Sequence, residues 1–187
     1  MPVRIVVALA LLLGAAGCAG DGGANGGAVR VPPGFVEHRA AEFGFAHPAG
    51  WRRAEERDDQ GRPLTTFRGA ALPSGVPDGS VHAQRYADYP QGFPTALAQF
   101  RDLARFNGYR LTADRPADVD GAVRAHRFEA SYALDADQGG PVSFRLAGLY
   151  VLTERGSLVE FVLRAPEQGG AVARLPEIMD TFRLRGD

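Results

Sequence analysis

Four histidines are the side chains of this sequence best suited to acid–base chemistry: His38, His47, His82 and His126. No two of them are spaced four residues apart, as two metal-binding imidazoles on one helix would be. His82 and His126 fall in segments that alternate like strands, so either could serve as the base of a hydrolase if a serine lay beside it. A half-buried histidine bonded to the backbone explains the same pattern without chemistry.

The serines show no sign of a nucleophile, because none lies in a Gly-x-Ser-x-Gly motif. They are Ser74, Ser80, Ser131, Ser143 and Ser157. Asp118 and Asp120, followed by Gly121, resemble the start of a calcium loop, but the later oxygen ligands are missing. The sequence therefore predicts no catalytic residue, no metal site and no cofactor.

Cys18 is the only cysteine, and it directly follows the small residues Ala15, Ala16 and Gly17. Nine apolar residues, 5–13, precede this stretch, and one arginine precedes them. A basic start, a short apolar run and small residues are typical of a secretory signal, and nine residues are too few for a membrane span. The segment resembles the lipobox of bacterial lipoproteins, in which the cysteine is acylated and the signal is cut just before it, although that family prefers leucine at the position of Ala15.

We therefore expect a signal peptide at residues 1–17, a lipidated Cys18 with a flexible Gly-rich tether at residues 18–34, and one domain at residues 35–187. Ordinary signal cleavage that leaves a free thiol, or an uncleaved segment, are the alternatives. The expected location is a cell membrane or outer membrane, facing the periplasm or the cell exterior.

The charge of the chain is close to zero. Its formal net charge is −1, and removal of Arg4 with the signal would give 20 − 22 = −2. All of its cations are arginine, since the sequence contains no lysine. A near-neutral surface argues against binding to nucleic acid, and one cysteine excludes a disulfide framework.

Hydrophobic alternation and turn residues predict a series of strands. The predicted strands are residues 43–47, 51–56, 63–68, 80–89, 109–113, 123–134, 142–153 and 158–165. The last three are joined by connections too short for crossovers, which predicts an antiparallel meander. On residues 123–134, His126, Phe128, Ala130 and Tyr132 share one face.

Two helices are predicted. Residues 94–107 place Leu97, Phe100, Leu103 or Ala104, and Asn107 on one side. A closing helix over residues 170–181 contains Pro176, which predicts a kink or a restart. Strand groups that alternate with helices indicate an α+β fold: an antiparallel sheet covered by helices on one face and partly covered on the other.

Three aromatic residues are candidates for a binding surface: Trp51, Tyr86 and Tyr89. Aromatic side chains dominate binding sites, and the two tyrosines lie just before a Pro-Gly loop and the first helix. For Trp51, a place in the core beside the turn at Pro48 is the favoured interpretation.

Four stretches in order resemble the PsbP-like superfamily, in particular its LpqN/LpqT-type bacterial lipoproteins. They are FGFAHPAGWRR (43–53), ALAQFRDLARFNGYRL (96–111), VDGAVRAHRFEASY (119–132) and IMDTFRL (178–184). The resemblance implies an α/β/α sandwich around an antiparallel sheet. It also implies an accessory or binding protein, with no set of catalytic residues to carry over.

These observations favour a membrane-anchored cell-envelope lipoprotein that performs no catalysis and binds a protein partner or an apolar ligand. An envelope hydrolase using His82 or His126 is one alternative, and a purely structural or stress-response component of the envelope is another.

Overall fold

The computed structural model describes residues 30–58, 60–87, 89, 92–136 and 140–186. Within these ranges the elements are β1 (Phe35–Arg39), β2 (Phe43–Pro48), β3 (Arg52–Arg57), β4 (Pro63–Arg68), β5 (Ser80–Tyr86), α1 (Phe93–Phe106), β6 (Arg110–Ala117), β7 (Ala122–Ala136), β8 (Gly140–Thr153), β9 (Leu158–Pro166), a 3₁₀ turn (Gly170–Arg174), α2 (Leu175–Met179) and β10 (Arg183–Leu184).

The main layer is a seven-stranded sheet in the order β3-β4-β5-β9-β8-β7-β6, and each of its neighbouring pairs is antiparallel. The meander predicted for the last three long strands is confirmed as β7-β8-β9. β3 and β4 form an antiparallel hairpin, and charged β3 forms one edge of the sheet. Charges on an edge strand discourage pairing with another chain.

Several predicted strand boundaries differ from the structure. β6 continues to Ala117, four residues beyond the predicted end, and β5 ends at Tyr86 rather than residue 89. Two short strands, β1 and β10, were not predicted. They flank β2 in a separate three-stranded sheet, and pairing with β2 rather than their own pattern makes them strands.

Helix α1 covers one face of the large sheet. Its first turn carries a proline, which suits a position where the amide needs no helical partner. Phe100 of α1 stacks on Phe128 of β7 with ring centroids 3.8 Å apart. The predicted helix is confirmed, but its apolar stripe is displaced: Ala104 is buried, whereas Leu103 is 57% exposed. The buried positions are Phe93, Ala96, Phe100 and Ala104.

The opposite face of the large sheet is covered by the three-stranded sheet, the 3₁₀ turn and α2, which share one apolar core with it. The expected α+β fold around an antiparallel sheet is confirmed, and on this second face the small sheet accompanies the helical segments. The predicted closing helix is divided at Leu175, where the 3₁₀ turn gives way to α2, and Pro176 lies in the first turn of α2. Thr181 then fixes the end of α2 to β2, since its hydroxyl accepts a bond from the Ala46 amide at 2.8 Å.

None of the helices in the described ranges has the length and apolar character needed to cross a bilayer.

Candidate functional site

A cleft of about 920 Å³ opens where the small sheet stops covering the large one. Its walls come from β1 and β10 on one side and from β6 and β7 on the other, and the end of α2 and the loop before β7 close it. β6 and β7 extend the large sheet beyond the area covered by the small sheet, so the cleft follows directly from the different widths of the two sheets.

One row of side chains shows how the large sheet changes at the cleft. Phe161, Leu149, Arg127 and Arg115 are paired in turn across β9, β8, β7 and β6, so they share one face. Phe161 is 0% exposed and Leu149 is 5% exposed, because the small sheet covers them. Arg127 and Arg115 continue this row outside the cover and line the cleft.

Arg115 and Arg127 stand directly opposite each other on neighbouring strands, an arrangement in which like charges destabilise a sheet. Arg127 is compensated by Glu129 on its own strand, with 2.9 Å between nitrogen and oxygen. Within the described part of the chain, no carboxylate lies within ion-pair distance of Arg115. No ion pair in the described residues therefore offsets the repulsion that Arg115 experiences from Arg127.

On the facing wall, Glu37 holds two further arginines in place. Its carboxylate pairs with Arg39 at 2.6 Å and also contacts Arg183. Arg39 and Arg183 lie on the two strands that flank β2, and both are paired with Gly44. A Cβ at Gly44 would lie 3.2 Å from the backbone oxygen of His38, so glycine relieves a close approach between β1 and β2.

Apolar and acidic side chains complete the lining. The apolar ones are Ala117, Val119, Leu149, Met179, Phe182 and Leu184. The remaining charged ones are Asp118, Asp120, Asp180 and Arg185. The described lining contains no histidine, serine or cysteine, so the cleft offers cations, carboxylates and apolar surface for binding but no nucleophile or imidazole base.

The residues that the structure describes contain no group of three histidine, cysteine or acidic side chains arranged to hold a metal ion.

Tyr86 belongs to a hydrogen-bond network on the other face of the large sheet. Its hydroxyl lies 3.0 Å from a Glu160 carboxylate oxygen and 2.9 Å from the Gln84 side-chain oxygen, so its one proton is shared between two acceptors. Burial raises the pKa of Glu160, although hydrogen bonds from Tyr86 and Tyr150 oppose this effect. Burial and the neighbouring Glu160 also raise the pKa of Tyr86.

Asp58 extends the same network and stays ionised. Its carboxylate accepts bonds from Gln84 at 2.8 Å and from Arg62 at 2.6 Å. Burial alone would raise the pKa of Asp58, but the hydrogen bonds from Arg62, Gln84 and the Gln60 amide outweigh it and lower the pKa to about 2. The Arg62 guanidinium also lies 4.4 Å from the centre of the Tyr86 ring. The charged groups of this network are therefore paired with one another within the protein.

The other two aromatic candidates lie in different surroundings. Tyr89 is half-buried against Tyr86, and its hydroxyl donates to Gln99 of α1 at 3.0 Å. Trp51 is buried in the core between the two sheets, as its favoured interpretation has it. A Cβ at Gly79 would lie 2.7 Å from the indole ring, which shows how closely Trp51 packs. A role for these three residues in partner binding stays a prediction.

His82 does have a serine beside it. Ser80 Oγ lies 3.4 Å from His82 Nε2, and Thr66 Oγ1 lies 3.3 Å from Nδ1. Burial and the neighbouring Arg164 and Arg68 lower the pKa of His82 to about 4, so the ring is neutral at neutral pH.

The neighbouring hydrogen bonds fix which ring nitrogen of His82 donates and which accepts. Arg164 donates to Ser80 at 3.1 Å, and Thr66 donates to Glu56 at 3.2 Å, so Nδ1–H donates to Thr66 and Nε2 accepts from Ser80. Ser80 is 3% exposed, and neither it nor His82 lines the cleft. A serine closed to solvent cannot meet a substrate, so this geometry favours a structural role for the pair.

His126 is buried and meets a carboxylate instead of a serine. Its Nε2 lies 2.5 Å from Asp114, which also accepts two bonds from Arg101 of α1 at 2.7 and 2.9 Å. The Arg101 bonds, helped by His126, outweigh burial and lower the pKa of Asp114 to about 2. The cluster ties α1 to β6 and β7.

The residues of the cleft were missed at the sequence level. Arg115, Arg127, Glu37 and Arg183 come from four strands and resemble ordinary solvated charges in the sequence. One signal was available: β7 places a charge, Arg127, at a position that alternates with buried residues on an otherwise central strand. The predicted lipid attachment site, Cys18, lies outside the described residues.

No family model and no curated protein matches the chain. Several solved structures do. The cyanobacterial PsbP protein CyanoP of Synechocystis is similar at a TM-score of 0.54 and 15% identity, over 87% of this chain and 98% of that one. At this identity the likeness shows the fold alone, and it confirms the PsbP-like fold expected from the sequence.

Two further structures are similar at lower scores. The Ran-binding protein Mog1p of Saccharomyces cerevisiae has a TM-score of 0.48 and 12% identity, over 80% of this chain and 95% of that one. LpqN of Mycobacterium tuberculosis, described as involved in cell envelope biogenesis, has a TM-score of 0.40 and 13% identity, over 81% and 92%.

Proposed function

We propose that this chain is an exported protein, anchored to a membrane through acylated Cys18, that holds a ligand or partner of the cell envelope in the cleft without chemical change. The observation that carries the binding function is the 920 Å³ cleft, whose lining has charges and apolar surface but no catalytic side chain. The anchor rests on the lipobox-like sequence before Cys18 and the Gly-rich segment after it.

The proposed ligand site lies away from Trp51, Tyr86 and Tyr89, the candidates for a binding surface that the sequence suggested. Tyr86, Glu160 and their partners satisfy one another across the α1 face, which supports a structural role for that network. In the cleft, Arg115 lies opposite a second arginine at the edge of the sheet, which supports an interaction with something outside the chain.

Anchoring is tested by growing cells with a clickable fatty acid and comparing wild type with Cys18→Ser. We expect label on the wild type only, together with recovery of the wild type in the membrane fraction. Equal labelling of both forms, or no labelling of either, would contradict the anchor.

Binding is tested by in-cell cross-linking, followed by purification in a neutral detergent. The cross-linked material should diminish when the cleft is blocked by Ala117→Trp, because Ala117 lines it. The matched control is Ala70→Trp, at an exposed position in the loop between β4 and β5, outside the cleft lining. Identical cross-linked species in both variants would rule the cleft out as the binding site.

A further inference from the structure

Two facing pairs of arginines distinguish the cleft from the rest of the surface. Arg115 and Arg127 stand side by side on β6 and β7, and Arg39 and Arg183 stand on the opposite wall, where Glu37 is placed between them. The planar guanidinium group matches the oxygens of a phosphate or a carboxylate and binds them through paired hydrogen bonds.

The two walls differ in how many of their arginines already form ion pairs with carboxylates of the protein. Glu37 neutralises part of the Arg39 and Arg183 wall, and Glu129 accepts two bonds from Arg127 through a single oxygen, at 3.0 and 2.9 Å. Arg115 has no ion pair among the residues that the structure describes. Arg185 has no ion pair among them either, but it donates to the Ala40 carbonyl at 2.8 Å. The guanidinium that is least engaged within the described residues is therefore Arg115, at the β6–β7 wall.

The acidic side chains limit the charge that a ligand can carry. Asp118 and Asp120 belong to the loop between β6 and β7, and Asp180 follows α2. With Glu37 they make four carboxylates against five arginines in the lining, so the cleft suits a ligand with few negative charges rather than a polyanion.

Apolar surface lies next to the arginines. The partly exposed apolar side chains of the lining are Ala117 of β6, Val119 of the loop before β7 and Leu184 of β10. A volume of about 920 Å³ far exceeds the space that a single anionic group needs, so the remainder is available to an attached apolar part.

We propose that the cleft binds an anionic amphiphile, with its phosphate or carboxylate group on Arg115 and Arg127 and its apolar chain along Val119 and Leu184. This inference rests on the proposed binding function and names its ligand class. The repulsion between the two guanidinium groups is then reduced by the ligand's negative charge, and its chain covers apolar side chains that are partly exposed in the free protein.

The test is native mass spectrometry of the full chain, purified in dodecyl maltoside, with dodecyl phosphate or inorganic phosphate added. The detergent carries the same apolar chain as the amphiphile, so retention of dodecyl phosphate measures the contribution of the anionic group. We expect the wild type to retain dodecyl phosphate in preference to the detergent and to inorganic phosphate, less strongly as salt rises.

Arg115→Gln combined with Arg127→Gln should lower this retention about tenfold or more, because two charge-assisted contacts are lost. The matched control is Arg110→Gln with Arg124→Gln, which removes two exposed arginines from the same two strands but outside the cleft. The control should retain dodecyl phosphate like the wild type.

Three results would overturn the inference: no retention by the wild type, equal loss in both double variants, or retention of inorganic phosphate as strong as that of dodecyl phosphate. The intact mass in the same spectra reports whether Cys18 is acylated. An acylated protein without retained amphiphile would refute the ligand class alone, and a free thiol with retained amphiphile would refute the anchor alone.

Discussion

Two rows of side chains cross the same strands one residue apart and face opposite sides of the large sheet. One row contains Arg115, Arg127, Leu149 and Phe161. The other contains Pro116, His126, Tyr150, Glu160 and Gln84. The first changes from apolar to charged where its cover ends, whereas the second carries polar side chains across the middle of the sheet.

The two faces of the sheet differ in whether their polar side chains have hydrogen-bond or ion-pair partners within the protein. Under α1, the polar groups are satisfied within the protein: Tyr86 and Tyr150 bond Glu160, and Asp114 bonds His126. In the cleft, Arg115 is exposed beside a second arginine. Buried polar groups are stable only when they are paired, so charges left without an internal partner are found where solvent or a ligand reaches them.

The largest effect on stability is expected from a substitution that adds volume to the core between α1 and the large sheet. Gly148→Ala should lower the free energy of unfolding by about 1 to 3 kcal/mol or more, because overpacking a dense core forces side chains to shift. Its Cβ would come within 2.2 Å of Phe128, which is itself stacked on Phe100. Urea unfolding measures the change.

Gly50→Ala is the matched control for this experiment, since nothing lies within 4 Å of its Cβ position. The control should unfold like the wild type. If both variants unfold at the same urea concentration, Gly148 is not packed tightly against Phe128 under α1.

The second prediction concerns Glu160. Burial raises its folded-state pKa above the ordinary value of 4.5, so the folded protein holds this proton to higher pH than the unfolded chain. The wild type should therefore lose stability as pH rises from 4.5 through the folded pKa. Glu160→Gln has no proton to lose there, and its stability relative to the wild type should increase over that range.

Urea unfolding at several pH values measures this difference. Glu129→Gln, on strand β7 and on the cleft face of the same sheet, is the comparison variant, because its side chain is partly exposed. A stability difference between Glu160→Gln and wild type that stays constant with pH would show that Glu160 is not the buried acid of the network.

On the cleft face the expected effect is smaller and of opposite sign. Arg115→Thr should raise the free energy of unfolding by about 0.2 to 1 kcal/mol, because like charges directly opposite each other destabilise a sheet. Arg110→Thr is the control, since Arg110 stands opposite Ser131.

The gain from Arg115→Thr should be present at low salt and disappear near 1 M salt, where the Debye length falls to about 3 Å. Loss of stability in Arg115→Thr at low salt would mean that the fold itself needs this arginine, and the contrast between the faces would fail.

The smallest effect is spectroscopic. The pKa of His82 is about 4, so its ring resonances should stay at the neutral position down to about pH 5 in an NMR titration. Because its folded-state pKa is below the ordinary value of 6.5, the stability linked to this group is present above pH 6.5 and is lost as pH falls toward 4. Ser80→Ala should leave the protein folded, and a midpoint near 6.5 in the wild type would show an open, solvated imidazole.

Local patterns predicted most of the elements of this fold. Alternation marked the long strands β7, β8 and β9, short turns made them an antiparallel meander, and a spacing of three and four marked α1. These features depend on neighbours in the chain, and side-chain period is a local property. The lipobox-like stretch before Cys18 is likewise readable from adjacent residues.

The tertiary structure alone decided the candidate site. Register placed Arg115 opposite Arg127, and a two-residue strand, β10, brought Arg183 beside β2, about 140 positions earlier in the chain. It also placed Glu160 among tyrosines, although β9 looks like an ordinary apolar strand. A sequence records which residues alternate, but not which strand pairs with which, because pairing depends on how all the apolar faces are buried together.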